Sequence, residues 1–414
     1  MKEERSLSLL QLMVNEGLVP SPEEEENRKT VIEKLKQIVV AWVKRVAWQR
    51  RLPKQDIAVT SATLLTYGSY GLGNLDILNP VFLRDIDETG WKSLSRVLAN
   101  TQICRLVPDL KSMLRCVKFW AKRRGVYGNL NGFLGGIHLA ILAAFVCQCD
   151  PFVGLSALIS HFFKKFAFWP WPRPVELQDE TLHPTLNPTE TRLYMPIRLP
   201  FSSYEYCHSN ITKSTFYKIR TEFLRGHNLT KDLLKFDFDW HNVLEPFPYT
   251  KKYAWFLKIF LSASKQDELG DWVGWIKSRF CCLLFKLEEV QGLCDPNPAE
   301  YIDVNIADPH VIFYWGLQAG KTNAIDIKSV KDVFWRNIST GYQGPFGKIE
   351  LSIVQASQVP KSAQFDTLSQ KKKACWKMMD YHQRRIPIYS QHVPQYIVGY
   401  VSTNGDPEYP SAGV

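Results

Sequence analysis

The sequence has no Cys-x-x-Cys pair, no run of about 20 apolar residues and no internal repeat, and each absence excludes a class of protein. Its nine cysteines, at 104, 116, 147, 149, 207, 281, 282, 294 and 375, are scattered and odd in number. With no His at zinc-ligand spacing they do not build a zinc ribbon or finger, and they read as reduced thiols of an intracellular protein. The most apolar segment, Leu139 to Cys147, is too short to span a bilayer, so a buried helix and no membrane partner are expected. The opening MKEERSLSLLQLMVNEGL carries acids where a signal peptide needs its apolar stretch, and no secretion is expected. A surplus of acidic charge is also lacking: Lys and Arg number 51 against 41 Asp and Glu. The basic excess is local, since Arg105 to Arg173 holds ten basic residues and only Asp109 and Asp150 as acids. Such a concentrated positive field attracts phosphates.

What is present is ordinary globular material, 45% apolar and 22% charged over 414 residues, which is enough for two to four domains. Ser21-Pro22-Glu23-Glu24 has the serine of a capping box, a proline tolerated in the first turn and acids that complement the helix dipole. The spacing of Val31, Ile32, Leu35, Ile38, Val39, Trp42, Val43 and Val46 predicts an amphipathic helix that ends near Arg51. Ala62–Tyr67 is Thr-rich and apolar, and with the residues from Ile57 it predicts a strand running into the turn Gly68-Ser69-Tyr70-Gly71-Leu72-Gly73. From about Glu88 to Arg225 the pattern is helical, interrupted by the proline-rich stretch Pro170–Pro200. In the helix Leu110–Arg124, Leu110, Met113, Leu114, Val117 and Ala121 form the apolar stripe, while Arg115, Lys118 and Lys122 share another face. A strand over Tyr253–Ala263, a helix near Asp267–Leu287 and a strand over His310–Trp315 predict a small α+β domain, and a polar tail follows Val359.

Four runs together resemble the plant-type, eukaryotic poly(A) polymerase family. They are Tyr67-Gly68-Ser69-Tyr70, Arg115 to Asn129 (RCVKFWAKRRGVYGN), Gly132-Phe-Leu-Gly-Gly136-Ile137, and Ser202 to Thr212 (SSYEYCHSNIT). The resemblance implies an α+β multidomain protein. Residues 1–80 would hold an N-terminal helix and the remnant of a nucleotidyltransferase domain, 81–245 a helical middle domain, 246–358 an RNA-recognition-like domain, and 359–414 the tail. It implies the chemistry of adding AMP from ATP to RNA 3′ ends, with two magnesium or manganese ions steadying the attacking and departing oxygens. The partners implied are the RNA 3′ end, ATP and mRNA 3′-end processing factors, and the implied location is the nucleus.

Carried over residue by residue, Tyr67, Gly68 and Ser69 would meet the ATP phosphates and Lys118 the triphosphate. Tyr127 would stack on adenine, Asn129 would touch the ribose, and Gly136 with Ile137 would contact the base. From the residues alone, Gly68-Ser69 is also a plain turn, the cations are also a solvated face, and Tyr127 and Ile137 are also core residues.

The departures concern the metals. The family follows its Gly-Ser turn with a strand bearing Asp-x-Asp and a neighbouring strand with a third Asp. Here Gly73 is followed almost at once by Leu75-Asp76-Ile-Leu-Asn, text the family places after the third Asp, so several tens of residues and the metal ligands are missing. Asp85-Ile86-Asp87 alternates as the lost pair would, but it sits in Phe82-Leu-Arg-Asp-Ile-Asp-Glu, which matches a non-catalytic region and follows no strand-forming run. Gly71 stands where the family usually has Arg, and Ser95 where many members have Asn. The expected function is therefore that of the family with transfer in doubt, or alternatively that of an inactive RNA-binding isoform or a gene-model error. Gly316-Leu-Gln-Ala-Gly320-Lys321-Thr322 imitates a phosphate-binding loop but is one residue short, and with no helix expected after it the segment reads as an inter-strand loop.

Overall fold

The computed structural model describes residues 2–60, 62, 64–66, 88–107, 110–177, 193–200, 206–318 and 327–360. It is a mixed helix and sheet architecture. Helix α1 (Lys2–Asn15) precedes α2 (Pro22–Gln49), whose start has the physics read from sequence. The Ser21 hydroxyl accepts from the Glu24 N–H at 3.1 Å, and the Glu24 carboxylate accepts from the Ser21 N–H at 3.0 Å. The apolar stripe of α2 divides: Val43 and Ala47 are buried, whereas Val31, Leu35, Ile38 and Trp42 are exposed.

Ile57 does not begin a strand. Lys54–Val59 forms a short helix, α3, behind Pro53, and residues 62 and 64–66 are irregular. Proline fixes a backbone angle suited to entering a helix, and an apolar run becomes a strand only where a neighbour takes up its backbone hydrogen bonds.

Helices α4 (Glu88–Leu106), α5 (Leu110–Arg123), α6 (Gly136–Cys149), α7 (Leu155–Ala167) and α8 (Lys213–Thr230) share one core. All five stripe residues expected of α5 are buried, and Cys116, Phe119 and Trp120 join them. Trp120 is fully buried, stacked on Phe223 of α8 at 5.5 Å and edge-on to Phe163 of α7 at 5.0 Å. Buried aromatic contacts of this kind fix the rotation of α5 and hence which face it turns outward. Helix α1 also enters this core through Leu9, Leu12 and Met13, and the Trp240 indole N–H donates to the Arg5 carbonyl at 3.0 Å.

After the short helices α9 (Trp240–Leu244) and α10 (Tyr249–Lys252) comes β1 (Trp255–Ser262). The single helix expected near Asp267–Leu287 is two, α11 (Gln266–Ser278) and α12 (Phe280–Val290), broken at Arg279. The break lets each helix turn its own apolar stripe, Trp272 and Ile276 or Leu283 and Leu287, onto the sheet. Strands β2 (Cys294–Asp295), β3 (His310–Leu317) and β4 (Lys348–Gln355) complete a sheet of order β2-β3-β1-β4, and its three named pairings are antiparallel. Helix α13 (Ile327–Ser339) does follow the phosphate-loop look-alike. Gly316 and Leu317 belong to β3, and 319–326 lies outside the described residues.

One face of this sheet packs on α11, α12 and α13. The other is covered too, because Phe256, Ile312 and Tyr314 are buried with Phe247, Tyr249 and Val359. All eight residues of β3 are buried, as a central strand covered on both faces requires. The tail beyond residue 360 lies outside the described residues.

Candidate functional site

Helix α5 ends in a turn that doubles the chain back on itself. The Val126 N–H donates to the Ala121 carbonyl, and Gly125 takes a φ of +65°, the left-handed conformation in which glycine closes a helix. Tyr127 then pairs in an isolated bridge with Leu134, and the Gly128 N–H donates to the Leu134 carbonyl at 3.0 Å. A tight turn over 129–131 fills the loop between Gly128 (φ +127°) and Gly132 (φ +78°). At Gly132 a side chain would also be crowded, since a Cβ would stand 3.1 Å from the Asn210 carbonyl.

Helix α6 starts at once. The Gly135 N–H donates to Nδ1 of His138 at 3.0 Å, so this ring nitrogen is unprotonated and the proton sits on Nε2. Burial, with a smaller contribution from His208, pushes His138 down to about 4, and it is neutral near pH 7. Gly136 lies beside Tyr127: a Cβ there would stand 3.6 Å from the tyrosine hydroxyl.

Two ammonium groups of α5 flank the Tyr127 ring, with Nζ of Lys118 at 5.7 Å from its centroid and Nζ of Lys122 at 5.5 Å. Both distances are within cation–π range. Among the described residues no carboxylate pairs with Lys118. Burial lowers its pKa and raises that of Tyr127, so the neighbourhood is partly dry while still holding positive charge. An aromatic face, the Lys118 ammonium above it and a glycine that leaves room suit an anionic ligand carrying a flat ring.

Of the residues named from sequence, Lys118, Tyr127, Asn129 and Gly136 come together around this loop. Asn129 joins through Gly135, whose Cβ would lie 3.5 Å from that of Asn129. Ile137 is half-buried and packs against the helical core. Tyr67, Gly68, Ser69, Gly71, Asp76, Asp85 and Asp87 lie outside the described residues, as does the side chain of Ser95. Among the described residues no cluster of three or more His, Cys, Asp or Glu could hold a metal ion.

Periodicity and spacing did not reveal the groups behind the loop. Lys218 of α8 is buried, donating to Asp295 at 2.7 Å and to the Tyr249 hydroxyl at 2.6 Å, while the Tyr253 hydroxyl donates to the other Asp295 oxygen at 2.9 Å. Arg124 makes a two-pronged contact with Glu222 at 2.7 and 3.1 Å. Together they tie the sheet to the helices next to Phe133, which lies 5.2 Å from the Lys218 ammonium.

Comparison with known proteins gives two family matches. Residues 2–76 match the poly(A) polymerase nucleotidyltransferase domain, and residues 109–246 match the poly(A) polymerase central domain. Nuclear poly(A) polymerase 3 of Arabidopsis thaliana is 47% identical over 481 aligned positions, covering 96% of this chain and 94% of that protein. The aligned positions outnumber the 414 residues here, so that relative holds residues with no counterpart in this chain. Nuclear poly(A) polymerase 2 of the same plant is 27% identical, covering 86% of this chain, which spans 56% of that relative's length. Among solved structures, the Cid1 poly(U) polymerase bound to MgGTP covers 37% of this chain and 60% of its own, with 19% identity and a TM-score of 0.33.

Proposed function

The chain belongs to the poly(A) polymerase family, and from that membership we propose that it binds ATP and RNA without carrying out the family's transfer of AMP to RNA 3′ ends. The observation behind the binding half is the Lys118 ammonium standing over the Tyr127 ring beside Gly136. In this reading adenine stacks on Tyr127, Lys118 meets the triphosphate and Asn129 the ribose. Gly136 and Ile137 border the base, and Tyr67, Gly68 and Ser69 approach the phosphates.

The four-stranded sheet favours an RNA-recognition-like reading of 246–358. Its elements run β1, helices, β2, β3, helix, β4, which is the split βαβ order. On the sheet face opposite the helices, Phe256, Ile312 and Tyr314 are buried with Phe247, Tyr249 and Val359, so these rings offer no open platform to bases, and Phe260 is only partly covered. RNA contact is then assigned to phosphates on the basic surface of 105–173. Residues 1–80 form the reduced nucleotidyltransferase part, 81–245 the middle domain and 359–414 the tail. Nuclear residence is proposed from the nuclear relatives.

The missing transfer follows from electrostatics. Charge builds on the leaving pyrophosphate and needs metal ions held by several carboxylates. The text between Gly73 and Leu75 lacks the family's aspartates, so the carboxylates that would hold those ions are missing at their place in the sequence.

Primer extension tests the proposal. The purified chain with ATP and magnesium or manganese is expected to leave an RNA primer unextended, while a version with the relative's intervening segment restored extends it. Extension by the unaltered chain that disappears on changing Asp85 and Asp87 to Ala would overturn the proposal and make it an enzyme.

A further inference from the structure

Asn210, in the run Ser202–Thr212, lies directly behind the ribose side of the proposed ATP cleft. Two hydrogen bonds join it to Asn129. The Asn210 backbone N–H donates to Oδ1 of Asn129 at 3.2 Å, and Nδ2 of Asn210 donates to the Asn129 carbonyl at 3.2 Å. Each bond has a backbone group at one end, and that decides which way both amides face. A backbone N–H can only donate and a carbonyl can only accept, so Oδ1 of Asn129 must turn toward Asn210 and Nδ2 of Asn210 must turn toward Asn129. The oxygen of Asn129 is thereby used up. Its Nδ2, with two hydrogens, has no partner among the described residues and is not one of the fully buried unsatisfied atoms.

We infer that Asn210 is a positioning residue of the nucleotide site, fixing Asn129 so that it offers its amide nitrogen, and not its oxygen, to a ribose hydroxyl. This rests on the reading of the Tyr127 cleft as an ATP site. Asn210 is itself held from behind. Its carbonyl faces Gly132, where a Cβ would sit 3.1 Å away, and accepts from the Cys281 thiol of α12 at 3.9 Å. Two residues on, the Thr212 hydroxyl and the Ser214 N–H donate to Glu288 of the same helix at 2.6 and 2.8 Å. The sheet domain thus anchors the segment that orients Asn129, and the ribose-facing donor is set from outside its own loop.

The experiment measures binding of ATP and of 2′,3′-dideoxyATP to the full chain by calorimetry. The unaltered chain is expected to prefer ATP by about fivefold, the worth of one modest hydrogen bond. Asn129→Asp keeps the oxygen facing Asn210 but loses the donor, and should bring that preference near one. Asn210→Pro removes the N–H that holds Oδ1 and should lower the preference toward the same value, as should Asn210→Ala and Asn210→Asp, which keep that N–H but lose the Nδ2 bond that holds the Asn129 carbonyl in register with it. A merely structural role would weaken both nucleotides alike and leave the ratio unchanged. An unchanged ratio in the Asn210 variants, with Asn129→Asp collapsing it, overturns the inference alone. Unaltered ATP binding in Tyr127→Ala shows instead that the site itself is misassigned, and the inference falls with it.

Discussion

The Lys118 ammonium lies 5.7 Å from the centroid of the Tyr127 ring, although a helix end and a glycine turn separate the two along the chain. Their closeness ties a charge to a stacking surface, and that charge has a titration of its own. Burial lowers the pKa of Lys118, so it loses its proton at a lower pH than a free lysine. ATP needs the charged form, so affinity is expected to fall as pH rises through that lowered value. Tyr127, raised by its own burial, stays un-ionised longer than a free tyrosine. Lys118→Arg should flatten the alkaline fall, and Lys118→Met should weaken ATP about tenfold near neutrality. Calorimetric titration across pH checks both, and a steep alkaline fall retained in Lys118→Arg would assign the titration elsewhere.

A second expectation concerns acid stability. His138 titrates near 6.5 when unfolded and near about 4 when folded, with desolvation the chief cause and His208 the second. The unfolded state therefore binds its proton first. Stability from the neutral ring is full above the unfolded value and is lost as pH falls toward about 4, a change on the order of 3 kcal/mol. His138→Asn leaves an oxygen to accept the Gly135 N–H and has no such titration, so its urea midpoint should vary less between pH 7 and pH 4.5. Equal pH slopes in the two proteins would contradict this account.

The buried pair Lys218 and Asp295 gives a third. Removing one charge strands the other in a dry interior, so Asp295→Ala should cost about 3–5 kcal/mol in denaturant unfolding. Adding Lys218→Met should recover part of that loss, because an unpaired charge is worse than none. The Tyr249 and Tyr253 hydroxyls, which lose partners in the double variant, prevent full recovery. A double-mutant cycle measures the coupling, and strictly additive costs would show that the two charges do not depend on each other.

RNA binding should respond to salt. If three phosphates are neutralised by the basic surface of 105–173, affinity for single-stranded RNA should fall by roughly tenfold or more between 50 and 200 mM salt. Fluorescence anisotropy at the two concentrations reads this directly. Lys164→Glu together with Lys165→Glu on α7 should flatten the slope, and an affinity indifferent to salt would remove phosphate contact as its basis.

Much of this protein was determined locally and so was legible in the sequence. The capping box at Ser21 and the apolar stripe of α5 depend on neighbours a few residues away, and the short apolar runs around Leu257 and Phe313 mark their strands even though the pairing partners are distant. Lys118, Tyr127 and Gly136 were legible through a resemblance, since nothing in their spacing alone separates a ligand cleft from core packing. Only the tertiary structure decided the rest. The run from Ile57 became a helix start at Pro53 because a strand exists only by sharing its hydrogen bonds with a neighbour. The break at Arg279 follows from fitting two stripes onto one sheet. Which way Asn129 faces is set by Asn210, far along the chain, and what Lys218 is for depends on Asp295 in another part of the fold. A hydrogen bond between distant residues leaves no period in a sequence, because its energy depends on where two groups meet and not on the residues that flank them.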